Sequence, residues 1–236
     1  MNEIICPRCD SENIVKNGNT SYGKPRYMCK DCRRHFVRNP AKGKISDEKK
    51  ELTDRMLLER IPLAGIARVV GVSKRWLQTY VNNKYESLEK QVVVEEKEKG
   101  PMTIQCDEMW SFVDSEKDKY WIWLAIDADT RRIVGAHIGD RGEKGARNLW
   151  NSLPPVYRQC AVIYTDFWKS YEGVLPSERH KAVPKSSGKT SYMERLNNTV
   201  RQRVSRLVRK TLSFSKKLEN HIGAIWLFIY HYNSLI

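Results

Sequence analysis

The sequence predicts an α+β chain of several domains: a small cysteine-bound module, a pair of crossing helices, and a larger α/β domain. Three observations predict it. Two C-x2-C pairs open the chain, a small–Gly–apolar spacing lies between residues 67 and 77, and beyond Met102 short apolar strands alternate with helix signals. At 236 residues the chain is long enough for one to three compact units with a real core. Its net charge of +14 favours a polyanionic partner, most often nucleic acid. Between Lys185 and Lys217 ten Lys and Arg stand against a single acid, Glu194. No run of about eighteen apolar residues exists, so no membrane span is expected. The first residues lack the basic and apolar regions of a secretory signal. Four of the six cysteines have metal spacing, so a reducing, cytoplasmic setting is expected.

Cys6-Pro7-Arg8-Cys9 and Cys29-Lys30-Asp31-Cys32 are separated by nineteen residues. Thiolates in this arrangement supply the four ligands of one tetrahedral Zn²⁺, whereas a redox role for C-x-x-C calls for a βαβ setting that is absent here. The Asn17-Gly18-Asn19 and Tyr22-Gly23-Lys24 turn signals lie between them. Residues 1–42 therefore read as a zinc ribbon. Tyr22, Lys24, Arg26, Tyr27, Arg33, Arg34 and Arg38 interleave aromatics with cations, which suits a phosphate-facing or a merely solvated surface. Cys106 and Cys160 sit in apolar runs and read as small core residues.

Residues 45–84 carry a helix-turn-helix pattern. Ser46-Asp47-Glu48 opens a helix with Leu52, Met56 and Leu57 as its apolar stripe, and Pro62 breaks it. Next, Ala67 is small enough for two helices to cross closely, and Gly71 supplies the turn. Ser73 is placed to cap the second helix, and Val72, Leu77 and Tyr80 fall on its inner side. The outer side then presents Lys74, Arg75, Gln78 and Thr79. In the major groove of double-stranded DNA, Arg75 and Gln78 would read base edges while Lys74 holds phosphate. An ordinary helical hairpin with a polar face is the alternative. Residues 85–101 are highly charged and read as a linker, with a helix expected over 84–91.

Residues 102–236 form the third part. Strands are expected over 103–113, 120–126 and 132–138, the second unbroken in its apolar character as in a strand covered on both faces. A helix over 142–153, a strand over 160–165, a short helix over 167–174 and a strand over 179–183 follow. A flexible loop is expected over 185–189, then helices over 192–210 and 214–232. The order β-β-β-α-β-α-β-α is that of ribonuclease-H-like nucleases, in which the first and fourth strands are neighbours. Asp107 and Asp166 would then lie side by side. On the long helix Leu196, Val200, Val204, Leu207 and Val208 form the buried stripe. Glu194 and Arg201, seven residues apart, are nearly eclipsed on another face.

Three carboxylates repel one another and cluster only around a compensating cation. Asp107, Asp166 and Glu194 are therefore candidate ligands for Mg²⁺ or Mn²⁺, which take oxygen donors and keep waters for chemistry. A pair of such ions would activate an attacking oxygen and stabilise a departing one in phosphodiester displacement. Arg201 would hold a DNA phosphate beside them. Asp127 also ends a strand, but a turn-forming role fits it better. Glu108 should point to the opposite face of the sheet from Asp107.

Together, the cysteine pairs, the helix-turn-helix pattern, Asp107-Glu108-Met109-Trp110-Ser111-Phe112-Val113, Tyr164-Thr165-Asp166-Phe167-Trp168-Lys169-Ser170-Tyr171 and Glu194-Arg195-Leu196-Asn197-Asn198-Thr199-Val200-Arg201 resemble the transposase of the bacterial insertion sequence one family over essentially the whole chain. The resemblance implies a DDE-type recombinase that binds its element's terminal inverted repeats, cuts a strand and joins it to target DNA, with Asp107, Asp166 and Glu194 as the triad. It also implies a homo-oligomer on DNA, at the nucleoid. In some members the DNA-binding and catalytic parts are joined by ribosomal frameshifting; here they are continuous. A zinc-containing DNA-binding regulator accounts for residues 1–100 and leaves the rest without a purpose. A structure-specific nuclease of the same fold would cut without joining.

Overall fold

The computed structural model describes residues 4–38, 45–94, 100–207 and 214–236. The chain forms two compact units, Met1–Ser46 and Asp47–Ile236.

In the first unit β1 (Ile14–Asn19), β2 (Pro25–Cys29) and β3 (His35–Val37) form an antiparallel sheet in the order β1-β2-β3. The pairing of β1 with β2 shifts register between Lys16 and Asn19, around Gly18 at φ 67°. Gly23, at φ 74°, makes the hairpin turn. The unit is too small for a large apolar core. What it buries instead is Cys6, Cys29 and Tyr27, the last with its ring tilted against Phe36. Tyr27 is thus interior and leaves the basic aromatic surface expected from the sequence; Tyr22, 91% exposed, stays on it.

The second unit opens with α1 (Asp47–Met56), α2 (Leu63–Val70) and α3 (Lys74–Ser87). Leu52 is exposed and Thr53 takes the buried place on α1, its hydroxyl turned back to the Lys49 carbonyl. Gly71 closes α2 at φ 68°, where a side chain would be strained, and Ser73 Oγ accepts the Trp76 N–H at the start of α3. Leu77, Val81 and Tyr85 form the inner side of α3, with Val72 and Tyr80 only half-buried. The helix expected over 84–91 is the end of α3, which stops at Ser87.

The sheet of this unit consists of β4 (Met102–Val113), β5 (Ser115–Asp127), β6 (Ile133–Gly139), β7 (Ala161–Thr165) and β8 (His180–Ala182), in the order β6-β5-β4-β7-β8. The first three strands are an antiparallel meander; β7 joins β4, and β8 joins β7, in parallel. Alternation along the strands divides the interior into two layers. Ile104, Cys106, Trp123, Ala125, Val134 and Ile163 pack under α4 (Glu143–Ser152), α5 (Pro155–Cys160) and α6 (Lys169–Glu172). Met109, Ile122, Leu124, Ile126 and Ile133 pack under α7 (Ser191–Arg203) and α8 (Leu218–Ser234). The inner sides of α2 and α3 belong to this second layer, so the helical segment and the sheet share one core. Each fully buried Ile, Leu or Phe there contributes ~1.5–3 kcal/mol. Asn233 on α8 fixes β6 by accepting the Ile133 N–H and donating to its carbonyl.

The long helix expected over 192–210 stops at Arg203, and a 3-10 turn, Ser205–Leu207, follows. Leu196, Val200, Val204 and Leu207 are buried as expected, while Val208 lies outside the described residues. Arg203 makes the bend useful: its guanidinium donates to the Leu58 carbonyl and to Glu59, and its own carbonyl accepts the Arg60 N–H. A 3-10 turn, Lys185–Ser187, replaces part of the loop expected over 185–189.

Candidate active site

The parallel pairing of β4 with β7 runs from Met102 opposite Ala161 to Gln105 opposite Tyr164. Two residues further along stand Asp107, midway along β4, and Asp166, just past the end of β7, on adjacent strands and on the face under α7. Gln105, buried on the same face, accepts the Met193 N–H through Oε1 at 3.0 Å and so fixes the first turn of α7 over β4. One turn on, Asn197 Nδ2 donates to Asp107 Oδ2 at 2.7 Å. Between these two anchors sits Glu194, whose Oε1 accepts the Thr190 hydroxyl at 3.3 Å. Arg201 follows two turns along α7 on the same face as Glu194.

The electrostatics match this closeness. Burial pushes the Asp107 carboxyl up to about 6; the backbone N–H of Glu108 opposes that, and the charges of Asp166 and Glu194 add to it. The charge of Lys185 works the other way and lowers it. Asn197 Oδ1 is buried and has no hydrogen-bond partner. Neighbouring carboxylates with an orphaned amide oxygen are a hard oxygen donor set of the kind Mg²⁺ or Mn²⁺ takes. The acids stand further apart than the oxygens of a tight single-ion cage: the four cysteines alone bring three or more such groups within 4.8 Å of one another among the described residues. A wider spacing suits ions that retain water.

Glu108 points to the other face of the sheet, as strand alternation requires, and it is almost fully buried. Its Oε1 accepts from Arg141 Nε and Nη2, both at 3.3 Å, and its Oε2 from the Tyr171 hydroxyl at 3.2 Å. Burial, then the charges of Asp107 and Asp166, raise its carboxyl to about 7 despite Arg141. The Arg141 guanidinium lies between the Trp121 and Trp168 rings, 4.2 and 3.7 Å from their centres. Trp168 Nε1 donates to the Arg141 carbonyl, and the Trp168 backbone N–H donates to Asp166 Oδ1 at 3.0 Å. A continuous chain of contacts therefore runs from Glu108 beneath the sheet to Asp166 above it.

Sequence reasoning missed Gln105, Asn197, Arg141 and Trp168. The first two carried a signal: Gln105 is two residues before Asp107 on a strand, and Asn197 three after Glu194 on a helix. The others did not, because residue 141 meets residue 168 only through the fold. Asp127 is fully buried and caps its turn, accepting the Asp129 and Thr130 N–H groups and the Tyr157 hydroxyl.

Two further groupings complete the inventory. Cys6, Cys9, Cys29 and Cys32 converge within 4.8 Å, with Cys6–Cys32 and Cys9–Cys29 sulfur distances of 3.5 and 3.7 Å. Tetrahedral Zn–S bonds of ~2.3 Å put sulfurs about 3.8 Å apart, so the four thiols suit zinc. On α3, Lys74, Arg75, Gln78 and Thr79 are all exposed on one side, with Gln78 Nε2 donating to Asn82 and the Thr79 hydroxyl to the Arg75 carbonyl.

A protein-family model described as IS1 transposase matches residues 102–233. The chain belongs to the IS1 transposase family. A second family model, the InsA N-terminal domain, matches residues 2–33 and includes all four cysteines. Among curated relatives, the insertion element iso-IS1n protein InsB of Shigella dysenteriae is 35% identical over 127 residues, 53% of this chain and 92% of that protein. The insertion element IS1 9 protein InsB of Escherichia coli K12 is 32% identical over 166 residues, 67% of this chain and 94% of that protein. Membership of a DDE transposase family implies a polynucleotidyl transferase acting on DNA, and the ribbon match with the clustered cysteines points to zinc. No helix of the described residues is long and apolar enough to cross a membrane.

Proposed function

We propose that this IS1-family chain binds the terminal inverted repeats of its own element and catalyses strand cleavage and strand transfer at Asp107, Asp166 and Glu194. The observation that carries the reading is the meeting of two aspartates on the adjacent strands β4 and β7 with a glutamate of α7. In this reading residues 1–42 are a zinc ribbon, 45–84 a helix-turn-helix whose last helix runs on to Ser87, the rest of 85–101 a linker and 102–236 a ribonuclease-H-like domain; the sheet order β6-β5-β4-β7-β8 with helices on both faces supports the last.

Asp107, Asp166 and Glu194 would hold two Mg²⁺ or Mn²⁺ ions, with Asn197 Oδ1 in reach of the same space. Bound there, the ions would neutralise the phosphodiester and lower the pKa of the attacking water. Asn197 and Gln105 hold Asp107 and α7 in register. The Glu108–Arg141–Trp168 chain holds Asp166. Arg201 meets a DNA phosphate near the glutamate. Lys74, Arg75, Gln78 and Thr79 face the major groove, Arg75 and Gln78 at base edges. The protein works as a homo-oligomer that gathers both ends, on DNA in the nucleoid.

Incubation with Mg²⁺, a duplex carrying the element's ends and a supercoiled plasmid tests this reading. Covalent joining of the 3′ end to the plasmid is expected, lost in Asp166→Asn and Glu194→Gln. Nicks without joining would make it a nuclease, and end protection without any cut a regulator.

A further inference from the structure

α7 has two flanks. One carries Glu194, Asn197 and Arg201 towards the carboxylate site. The other, about a helix diameter of ~10 Å away, borders a cavity of about 380 Å³. That volume is within the range of small-ligand sites, about 300–1,000 Å³. Ile126 and Leu196 line it along with Arg131, Arg195, Tyr192, Thr199 and Tyr232. No acid lines it, and neither arginine forms an ion pair among the described residues. Two guanidinium groups and two phenols around one concavity make an anion site with apolar and aromatic walls, while the Thr199 hydroxyl is turned back to the Arg195 carbonyl.

Arg131 is held there by construction. It adopts φ 65°, a left-handed conformation unusual for a residue with a side chain, and its N–H donates to the Asp127 carbonyl. The fully buried Asp127 ties the preceding turn together. The Arg131 guanidinium carbon then lies over Tyr192, 3.0 Å from the ring centre. The ridge of α7 between the two flanks presents Ser191, Arg195, Asn198 and Gln202, all exposed and none acidic. A polyanionic strand can cross it unopposed.

We infer that this cavity is a second DNA subsite, in which Arg131 and Arg195 hold a backbone phosphodiester of the strand whose neighbouring phosphates lie at the carboxylate site. The inference rests on the reading of the protein as DNA-acting and adds a contact outside the triad and the α3 face.

The test is salt-dependent binding of the full-length, zinc-loaded chain to a fluorescein-labelled duplex of random sequence, followed by anisotropy without added Mg²⁺. A contact to one phosphate contributes roughly 0.9 to the slope of log K against log[NaCl]. Arg195→Gln and Arg131→Gln are each expected to lower the slope magnitude by about one and to weaken binding several-fold at low salt. Arg131→Lys should keep the slope. Unchanged tryptophan-monitored unfolding of Arg195→Gln excludes misfolding as the cause. If the wild type binds the duplex and both Gln variants keep its slope, the subsite is refuted while the DNA-acting reading stands. If the wild type does not bind duplex, both fall. dTMP at matched ionic strength is the competing ligand. If it raises the wild-type unfolding midpoint but not that of Arg131→Gln, while the DNA slopes coincide, the cavity takes a free nucleotide and the inference is overturned.

Discussion

Replacing Asp107 by Asn should make the metal-free protein more stable while removing its activity. Burial and the neighbouring carboxylates raise the Asp107 carboxyl from its ordinary 3.8 to about 6. At ~1.36 kcal/mol per pH unit, holding that charge costs the native state about 3 kcal/mol above pH 6, trimmed to about 2 by partial solvent access. The amide carries no charge and can be accommodated. Glu108 N–H still finds the retained oxygen, and Asn197, whose Oδ1 lacks a partner, can turn to accept from the new NH₂ group. The native state holds its proton more tightly than the unfolded chain, so wild-type stability falls as pH rises from about 4 through 6. The variant lacks that part of the slope, and the two should converge near pH 4. All seven tryptophans lie in residues 47–236, so denaturant unfolding followed by tryptophan fluorescence reports on this unit alone. Without added Mg²⁺ or Mn²⁺ at pH 7.5, Asp107→Asn should gain about 1–3 kcal/mol, at roughly 2–4 °C in Tm per kcal/mol. Equal or lower stability at pH 7.5 would refute the picture of an Asp107 carboxylate held charged at a cost to the fold.

The remaining expectations concern the supports of the site. Glu108→Ala leaves Arg141 without its carboxylate and should cost about 2 kcal/mol and at least tenfold in metal-dependent cleavage, whereas Glu108→Gln should retain the fold; equal activity of the Ala variant and wild type would remove Glu108 from the positioning of Asp166. A Cβ on Gly223 of α8 would run into Tyr85 Cβ of α3, so Gly223→Ala should lower stability by about 1–3 kcal/mol in the same unfolding assay; a neutral result would argue against that helix contact. Cys29→Ser should release the zinc, read as metal content per chain by mass spectrometry, and retention of one zinc would contradict four-thiolate ligation. Apparent Mn²⁺ affinity should fall about tenfold per pH unit below pH 6, as protons compete for Asp107, and plateau above it; a flat profile would exclude Asp107 as a ligand.

Where the sequence was legible, local pattern and register decided the outcome. The unbroken apolar run 120–126 is a central strand, and the spacing of Gly71 from Ala67 and Ser73 fixes the α2–α3 turn in detail. Asp107 and Asp166 lie on adjacent strands, each two residues past the pair Gln105–Tyr164, an adjacency that the order of elements already predicted. The α7 helix was overextended, since the apolar stripe continues past Arg203 while the chain turns to bury Val204 and Leu207 in a tighter 3-10 path. α5 was missed because it is short and begins at Pro155, a residue that suits a first helical position but carries no periodic apolar pattern of its own. The shared core of α3 with α8, and the stacking of Arg141 between two tryptophans, rest on contacts between distant parts of the chain that carry no local pattern.

The most direct measurement is anomalous scattering from Mn²⁺ in crystals of the chain bound to element-end DNA. Two peaks about 3.5–4 Å apart, ligated by carboxylate oxygens of Asp107, Asp166 and Glu194, are the expected result. Manganese absent from these three side chains while DNA occupies the site would contradict the metal-dependent triad.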